Sequence, residues 1–260
     1  MKNLVEELDI QCRINLWRRR KKNQNFYFER RNGLIFAGPE LSHVPLDTIV
    51  CDNDNAIQQS EITKALGEEK FCSRLFYFIV YSGQETIALA LDRAGWVNIR
   101  ESSIMFRTDP ASFSPIFNCK SPLERYDFID NHDIDLDKWC EVFFDAYDIK
   151  ESSRIHWKKR LECDFDDTTW KFLALINKNK EYVGIVSLFE DGKISTITNL
   201  ATRRKYWRKG IGTWLSEHAL NILSINNNYI TISCNPNSRE LYEKLGFSIR
   251  SKITYFARSL

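Results

Sequence analysis

The sequence predicts an α/β protein with a mixed sheet, divided into two halves. Three observations carry this expectation. Over residues 123–260, apolar runs of strand length alternate with helical patterns. Around residues 77–96 and 229–247 the chain uses one arrangement twice: an apolar strand, a helix, then glycine followed by an aromatic residue. Between the halves, Pro110, Pro115 and Pro122 interrupt a stretch containing Ser and Phe, and proline disfavours both helix and central strand. The expected division is therefore 1–107, a linker at 108–122, and 123–260.

Bulk composition narrows the function classes. With 43% hydrophobic and 28% charged residues, the chain is composed like a globular protein and not a disordered one. A net charge of +2 gives no global basic field, so nucleic acid is not an expected partner. The seven cysteines form no CxxC pair and no cluster with zinc-ligand spacing, so no metal site is expected. Scattered free thiols suit a reducing compartment. The first seven residues lack the apolar core of a signal peptide, and no apolar run approaches the ~20 residues that span a bilayer. The expectation is a cytoplasmic protein.

The elements follow in order. Residues 3–20 carry Leu4, Leu8, Cys12, Ile14 and Leu16 in a rough helical pattern. The basic run from Arg18 to Lys22 reads as a solvated helix end whose cations suit the helix dipole. Strands are expected at 26–28 and 34–36 around the turn signal Asn32-Gly33, a helix at 56–66 and a strand at 75–81. A helix at 85–93 then leads to Gly95-Trp96 and another strand. The second half predicts strands at 126–129, 170–176, 182–188, 194–201 and 229–233. Its helices are expected at 136–147, 153–162, 210–224 and 238–245, before a final strand pair.

The two repeated stretches read YFIVYSGQETIALALDRAGW from Tyr77 and YITISCNPNSRELYEKLGF from Tyr229. Gly95 matches Gly246, Trp96 matches Phe247, and Leu91 stands where the second copy has Tyr242. Glycine after a helix supplies the left-handed residue that ends it. The first half has no phosphate-binding loop, so it reads as a degenerate copy without a cofactor site.

The chemistry concentrates in the second half. From Ile197 to Thr213 a strand runs into a basic loop, then Gly210-Ile211-Gly212, then a helix. The first turn of a helix offers unpaired N–H groups and the positive end of the dipole. Glycines let an anion approach the backbone, and Arg208 and Lys209 add charge, so the loop suits a phosphate or pyrophosphate. It is not a GxxxxGK[ST] loop, and Leu215 stands where a dinucleotide fingerprint needs a third glycine.

Trp207-Arg208-Lys209-Gly210-Ile211-Gly212 resembles the Gln/Arg-x-x-Gly-x-Gly/Ala signature of the GNAT acetyltransferases, with Trp207 replacing the usual Gln or Arg. A second stretch resembles another family signature: Asn235, Ser238, Leu241-Tyr242, then Lys244-Leu245-Gly246-Phe247. The two stand about thirty residues apart, as one helix and one strand require. The resemblance covers roughly residues 123–260. It implies a mixed, mostly antiparallel sheet flanked by helices, the acyl-CoA N-acyltransferase fold, with a degenerate copy before it.

The resemblance also implies roles. Acetyl-coenzyme A is the co-substrate and an amine the acceptor. N–H groups from Arg208 to Thr213 hold the pyrophosphate. Backbone at Leu200, Ala201 and Thr202 holds the pantetheine arm like an added strand, and an N–H near Leu200 meets the oxyanion. Tyr242 protonates the leaving thiolate, and Asn235 contacts the arm or orients its surroundings. No general base is visible. Glu190 and Asp191 are the nearest acids and are expected in a hairpin turn, and His156 borders the expected acceptor side. His218 lies on an apolar helix face, and Cys234 reads as a buried strand thiol. Asp145, Asp148 and Glu151 could attract a cationic acceptor. The missing base and Trp207 also allow a non-catalytic acyl-CoA-binding or protein-interaction module on the same fold.

Overall fold

In a computed structural model the described residues are 4–20, 26–31, 34–39, 47–51, 76–107, 125–191, 194–223 and 229–258. The elements run α1 (Leu4–Arg20), β1 (Phe26–Arg31), β2 (Leu34–Pro39), β3 (Asp47–Cys51), β4 (Phe76–Tyr81), α2 (Glu85–Arg93) and β5 (Trp96–Arg107). Then follow β6 (Tyr126–Asp130), α3 (Leu136–Tyr147), α4 (Glu151–Phe165), β7 (Trp170–Asn177), β8 (Tyr182–Asp191) and β9 (Ile194–Thr202). A short 3-10 turn (Arg204–Tyr206) leads to α5 (Ile211–Leu223) and β10 (Tyr229–Cys234). Last come a 3-10 turn (Pro236–Ser238), α6 (Arg239–Lys244) and β11 (Ser248–Arg258). The helix expected at 56–66, the turn at Asn32-Gly33 and the linker at 108–122 lie outside the described residues.

The chain divides into two units. The first holds Met1–Met105, Ser233–Glu240 and Ser248–Leu260. Its strands follow the order β1-β2-β3-β4-β11, with β3 and β4 parallel and the other three pairings antiparallel. Leu34, Phe36, Ile49, Phe78, Val80, Leu91 and Trp96 form its core. Below them Asp9, buried on α1, accepts from Arg13 Nε at 2.7 Å and from Tyr81 Oη at 2.8 Å. A buried carboxylate needs such donors to offset its lost hydration.

The second unit holds Phe106–Ile232 and Leu241–Phe247. Its strands follow the order β6-β7-β8-β9-β10, with β9 and β10 parallel and the rest antiparallel. Helix α3 starts where Asp135 Oδ1 accepts from the N–H groups of Asp137 and Lys138, at 3.1 and 3.2 Å. It buries Trp139, Cys140, Val142 and Phe143, and the Trp139 indole donates to the Leu173 carbonyl at 3.2 Å. Helix α5 buries Ile211, Trp214, Leu215, Ala219, Leu220 and Leu223, together with Ser216 and Glu217. Gly184 on β8 makes that seat possible, because a Cβ there would lie 2.6 Å from Leu215 Cδ1.

The repeat is visible in the pairing. In each unit an antiparallel run leads to one parallel pair, β3/β4 in the first and β9/β10 in the second. After β4 and after β10 come a helix, a left-handed glycine (Gly95 at φ 79°, Gly246 at φ 82°) and a buried aromatic. Trp96 meets Phe78 edge-on, and Phe247 meets Tyr242 in the same way. One expectation is corrected here. Residues 248–258 form the single strand β11, not a strand pair, and it pairs with β4 of the first unit.

Candidate acyl-transfer site

The site begins where β9 loses its neighbour. The parallel register with β10 runs only from Ile194 to Ile197 of β9. On the other side, Thr198 faces Ser187 while Ala201 faces Ile185, so β9 carries one residue more than β8. This is a β-bulge, which bends a strand and re-aims its backbone groups. Asn199 takes up the extra length with φ at 52°. Asn tolerates this left-handed region better than most residues. Its Nδ2 donates to Ser187 Oγ at 2.8 Å, and that hydroxyl donates to the Thr198 carbonyl at 3.3 Å.

Two carbonyls beyond the bulge are held by aromatic side chains. Tyr147, at the end of α3, donates its hydroxyl to the Leu200 carbonyl at 3.0 Å. The Trp207 indole donates to the Thr202 carbonyl at 2.7 Å. The chain then turns, anchored by Arg203, whose Nε donates to the Tyr182 carbonyl at 2.8 Å. Arg204 donates its backbone N–H to Asp145 at 2.8 Å and pairs with Asp148 at 2.9 Å. Lys205 pairs with Glu181, which also accepts from Tyr206 Oη at 2.8 Å.

The loop after Trp207 has the backbone of an anion cradle. Arg208 at φ 61° and Gly210 at φ 78° are left-handed, and α5 begins at Ile211. Among the described residues, none of the N–H groups of residues 208–213 donates to another group. Alternating left-handed residues turn successive N–H groups toward one concavity, and the helix dipole adds to its positive potential. A Cβ at Gly212 would meet only Thr202 Oγ1, at 3.9 Å, so that glycine keeps an open path beside β9.

The other sequence-predicted residues lie on neighbouring elements. Glu190 lies within β8, not in a turn; it faces Ser195 across the ladder and pairs with Lys171 at 2.7 Å. Five residues separate Ser195 from Leu200, roughly 16 Å along a strand, so Glu190 is out of reach as a base. Asp191 likewise belongs to β8 and faces Ile194. The Asp145 carboxylate accepts the Arg204 backbone N–H at 2.8 Å, while exposed Asp148 and Glu151 pair with Arg204 at 2.9 Å and with Arg154 at 2.7 Å.

His218 stacks on Phe128 with centroids 3.8 Å apart, and burial pulls its pKa below the usual imidazole range. Cys234 is buried, with its Sγ 3.3 Å from Met105 Sδ. Asn235 caps the following 3-10 turn, its Oδ1 accepting from Ser238 N–H at 3.1 Å. Tyr242 is 4% exposed, its ring against Phe247. Asn199, Ser187 and Tyr147 are the site residues the sequence reading missed. Only the polar Asn in an otherwise regular strand hinted at them.

The family model for the acetyltransferase (GNAT) family matches residues 135–247. This segment is a GNAT domain. The match spans α3 to Phe247 and so takes in the bulge, the cradle and Tyr242. It supports acyl transfer as the domain's general chemistry. No curated protein matches the chain in sequence.

Among solved structures, a GCN5-related N-acetyltransferase from Kribbella flavida is similar at 11% identity and TM-score 0.68, over 96% of this chain and 95% of that one. A tandem GNAT protein from the clavulanic acid biosynthesis pathway is similar at 11% identity and TM-score 0.61, over 95% and 94%. A functionally unknown protein from Staphylococcus epidermidis is similar at 12% identity and TM-score 0.65, over 89% and 93%. At such identities the likeness is one of fold. It extends over both units, since 89–96% of this chain is covered. No described helix is long and apolar enough to cross a membrane.

Proposed function

We propose that the GNAT domain transfers an acetyl group from acetyl-coenzyme A to a primary amine, in the cytoplasm. The observation that carries this reading is the run of unpaired N–H groups at residues 208–213, opening beside the bulged end of β9. A diphosphate suits that run, since its oxygens accept several N–H bonds at once and the helix dipole favours their charge. Arg208, Lys209, Gly210, Ile211, Gly212 and Thr213 hold the pyrophosphate. Leu200, Ala201 and Thr202 hold the arm, with Trp207 and Asn235 shaping the two approaches.

The chemistry is a direct displacement. The amine lone pair attacks the thioester carbonyl carbon, and the C–S bond breaks as the amide C–N bond forms. The Leu200 N–H meets the negative oxygen on the way. The departing sulfur takes a proton from the hydroxyl of Tyr242, a buried side chain that packs against Phe247. The proton lost by nitrogen passes to water. No carboxylate stands on β9 between Ile194 and Thr202 to receive it.

That absence favours a second reading, a non-catalytic acyl-CoA-binding or interaction module. In both readings residues 1–107 are a degenerate copy without a cofactor site, joined by 108–122 to the working copy at 123–260.

Thermal melting with acetyl-coenzyme A separates the possibilities. At about 100 times its dissociation constant the ligand stabilises the native state by about 2.7 kcal/mol. The wild type then melts several degrees higher, and Gly212→Trp, which fills the path beside Thr202, does not. No rise in either protein sinks the cofactor reading. A rise without turnover on any amine supports the module.

A further inference from the structure

The two carbonyls of β9 that the arm would use are already taken. Leu200 O accepts from Tyr147 Oη at 3.0 Å, and Thr202 O accepts from Trp207 Nε1 at 2.7 Å. We propose that Tyr147 and Trp207 are displaceable caps, each holding a carbonyl in the free domain that the pantetheine arm of acyl-coenzyme A takes when it binds. This rests on the acyl-coenzyme A reading above.

Three features make them caps and not fixed struts. The first is need. Past Ile197 the edge of β9 has no β10 ladder, and unpaired strand carbonyls invite unwanted pairing or cost free energy when covered. The second is chemical likeness. The arm carries two amide N–H groups, so exchanging a phenol O–H and an indole N–H for them leaves the number of hydrogen bonds on the two carbonyls unchanged. The third is ease of release. Tyr147 is 46% exposed and Trp207 is 53% exposed, so both rings lie at the surface, Tyr147 resting on Phe143 with centroids 4.8 Å apart, and neither is locked in the core.

Their anchorages also suit this. Tyr147 is the last residue of α3, one position before the left-handed Asp148, where a helix end has slack. Trp207 follows the 3-10 turn directly and precedes the left-handed Arg208. The strand itself does not depend on them, because Asn199 and Ser187 pin the bulge from the β8 side. The two caps sit on different carbonyls, so their contributions are independent and multiply.

The test is calorimetric titration of the full chain with acetyl-coenzyme A, paired with stopped-flow association rates, for wild type, Tyr147→Phe, Trp207→Phe and the double variant. Each substitution keeps an aromatic ring and deletes only the donor. A cap that must be broken costs the binding ligand one hydrogen bond, so each single variant should bind about two- to twelve-fold tighter. The gain should appear in the association rate, and the double variant should combine both. Binding by the variants but not by the wild type also supports the caps. If the wild type binds and the variants bind equally well or more weakly, the side chains are positioning struts and the cap proposal fails while the cofactor reading stands. If no protein binds, both fail.

Discussion

The seat of α5 on β8 gives a sharp test of how the cradle is held. A Cβ added at Gly184 would lie 2.6 Å from Leu215 Cδ1 and 2.9 Å from Ile211 Cγ2. Carbon atoms in good contact stand about 3.5–4.0 Å apart, so roughly 1 Å must be found. Neither neighbour has room to give it, since Leu215 is 0% and Ile211 1% exposed. Ile211 is also β-branched and stiff, and it is the first residue of α5.

Gly184→Ala therefore pushes on the turn that carries the cradle. Overpacking of this kind costs about 1–3 kcal/mol. For a chain of this size that lowers the melting temperature by roughly 2–12 °C. On the proposed function, the same displacement should weaken acetyl-coenzyme A binding, because the N–H groups of residues 211–213 move with the turn. Gly212→Ala is the control, for its new Cβ meets only Thr202 Oγ1 at 3.9 Å and should leave the melting temperature unlowered. Melting curves and calorimetric titrations of both variants decide the matter. A Gly184→Ala protein with wild-type melting and affinity would refute the packing of α5 over Gly184.

Three other predictions follow from single residues. Burial raises the pKa of the Glu217 carboxyl, so its contribution to stability is fully present below the unfolded pKa and is lost as pH rises through the folded one. Glu217→Gln should raise the melting temperature at pH 7 and change it little at pH 4; a fall at pH 7 would contradict this. Tyr242→Phe should lower kcat by about 10²–10⁴-fold while leaving the KM for acetyl-coenzyme A nearly unchanged, read by thiol release. For Asp135, backbone N–H bonds, that of Lys138 first, hold the carboxyl below its usual range. Its stabilisation is present above the unfolded pKa and lost as pH falls through the folded one, and Asp135→Ala should cost about 0.5–2 kcal/mol by denaturant melting at pH 7.

Local signals were enough for much of the fold. Helices α2 and α3 begin and end where the sequence places them, because Asp135 caps one and Gly95 closes the other. The Gly-x-Gly loop and the repeat were legible for the same reason: glycine marks where a left-handed turn or a close approach is needed. What failed depended on distant partners. A final strand pair was expected after Phe247. In the fold, Lys252 N–H donates to Ser82 Oγ at 3.0 Å and the Lys252 carbonyl accepts from Ser82 N–H at 3.0 Å. A partner about 170 residues away satisfies the polar pair, and β11 runs through unbroken.

The site was legible in its backbone and less so in its side chains. Glu190 looked like a turn acid, but Lys171 on the next strand extends β8 through it. Asp145 and Asp148 looked like free acids, but Arg204 folds back onto both. Trp207 departs from the family signature at a position usually Gln or Arg, and nothing local shows that its indole turns to Thr202. The bulge at Asn199 depends on how β8 and β9 align, a relation no single strand encodes.

Binding of the acyl-coenzyme A pyrophosphate by the backbone N–H groups of residues 208–213 is open to direct observation. Amide resonances of an isotope-labelled chain, followed as coenzyme A is added, test it directly. Large, saturable shifts are expected for Arg208, Lys209, Gly210, Ile211, Gly212 and Thr213, with smaller ones at Leu200 and Thr202. Saturable shifts elsewhere with these six unmoved, or no shifts at all, would contradict it.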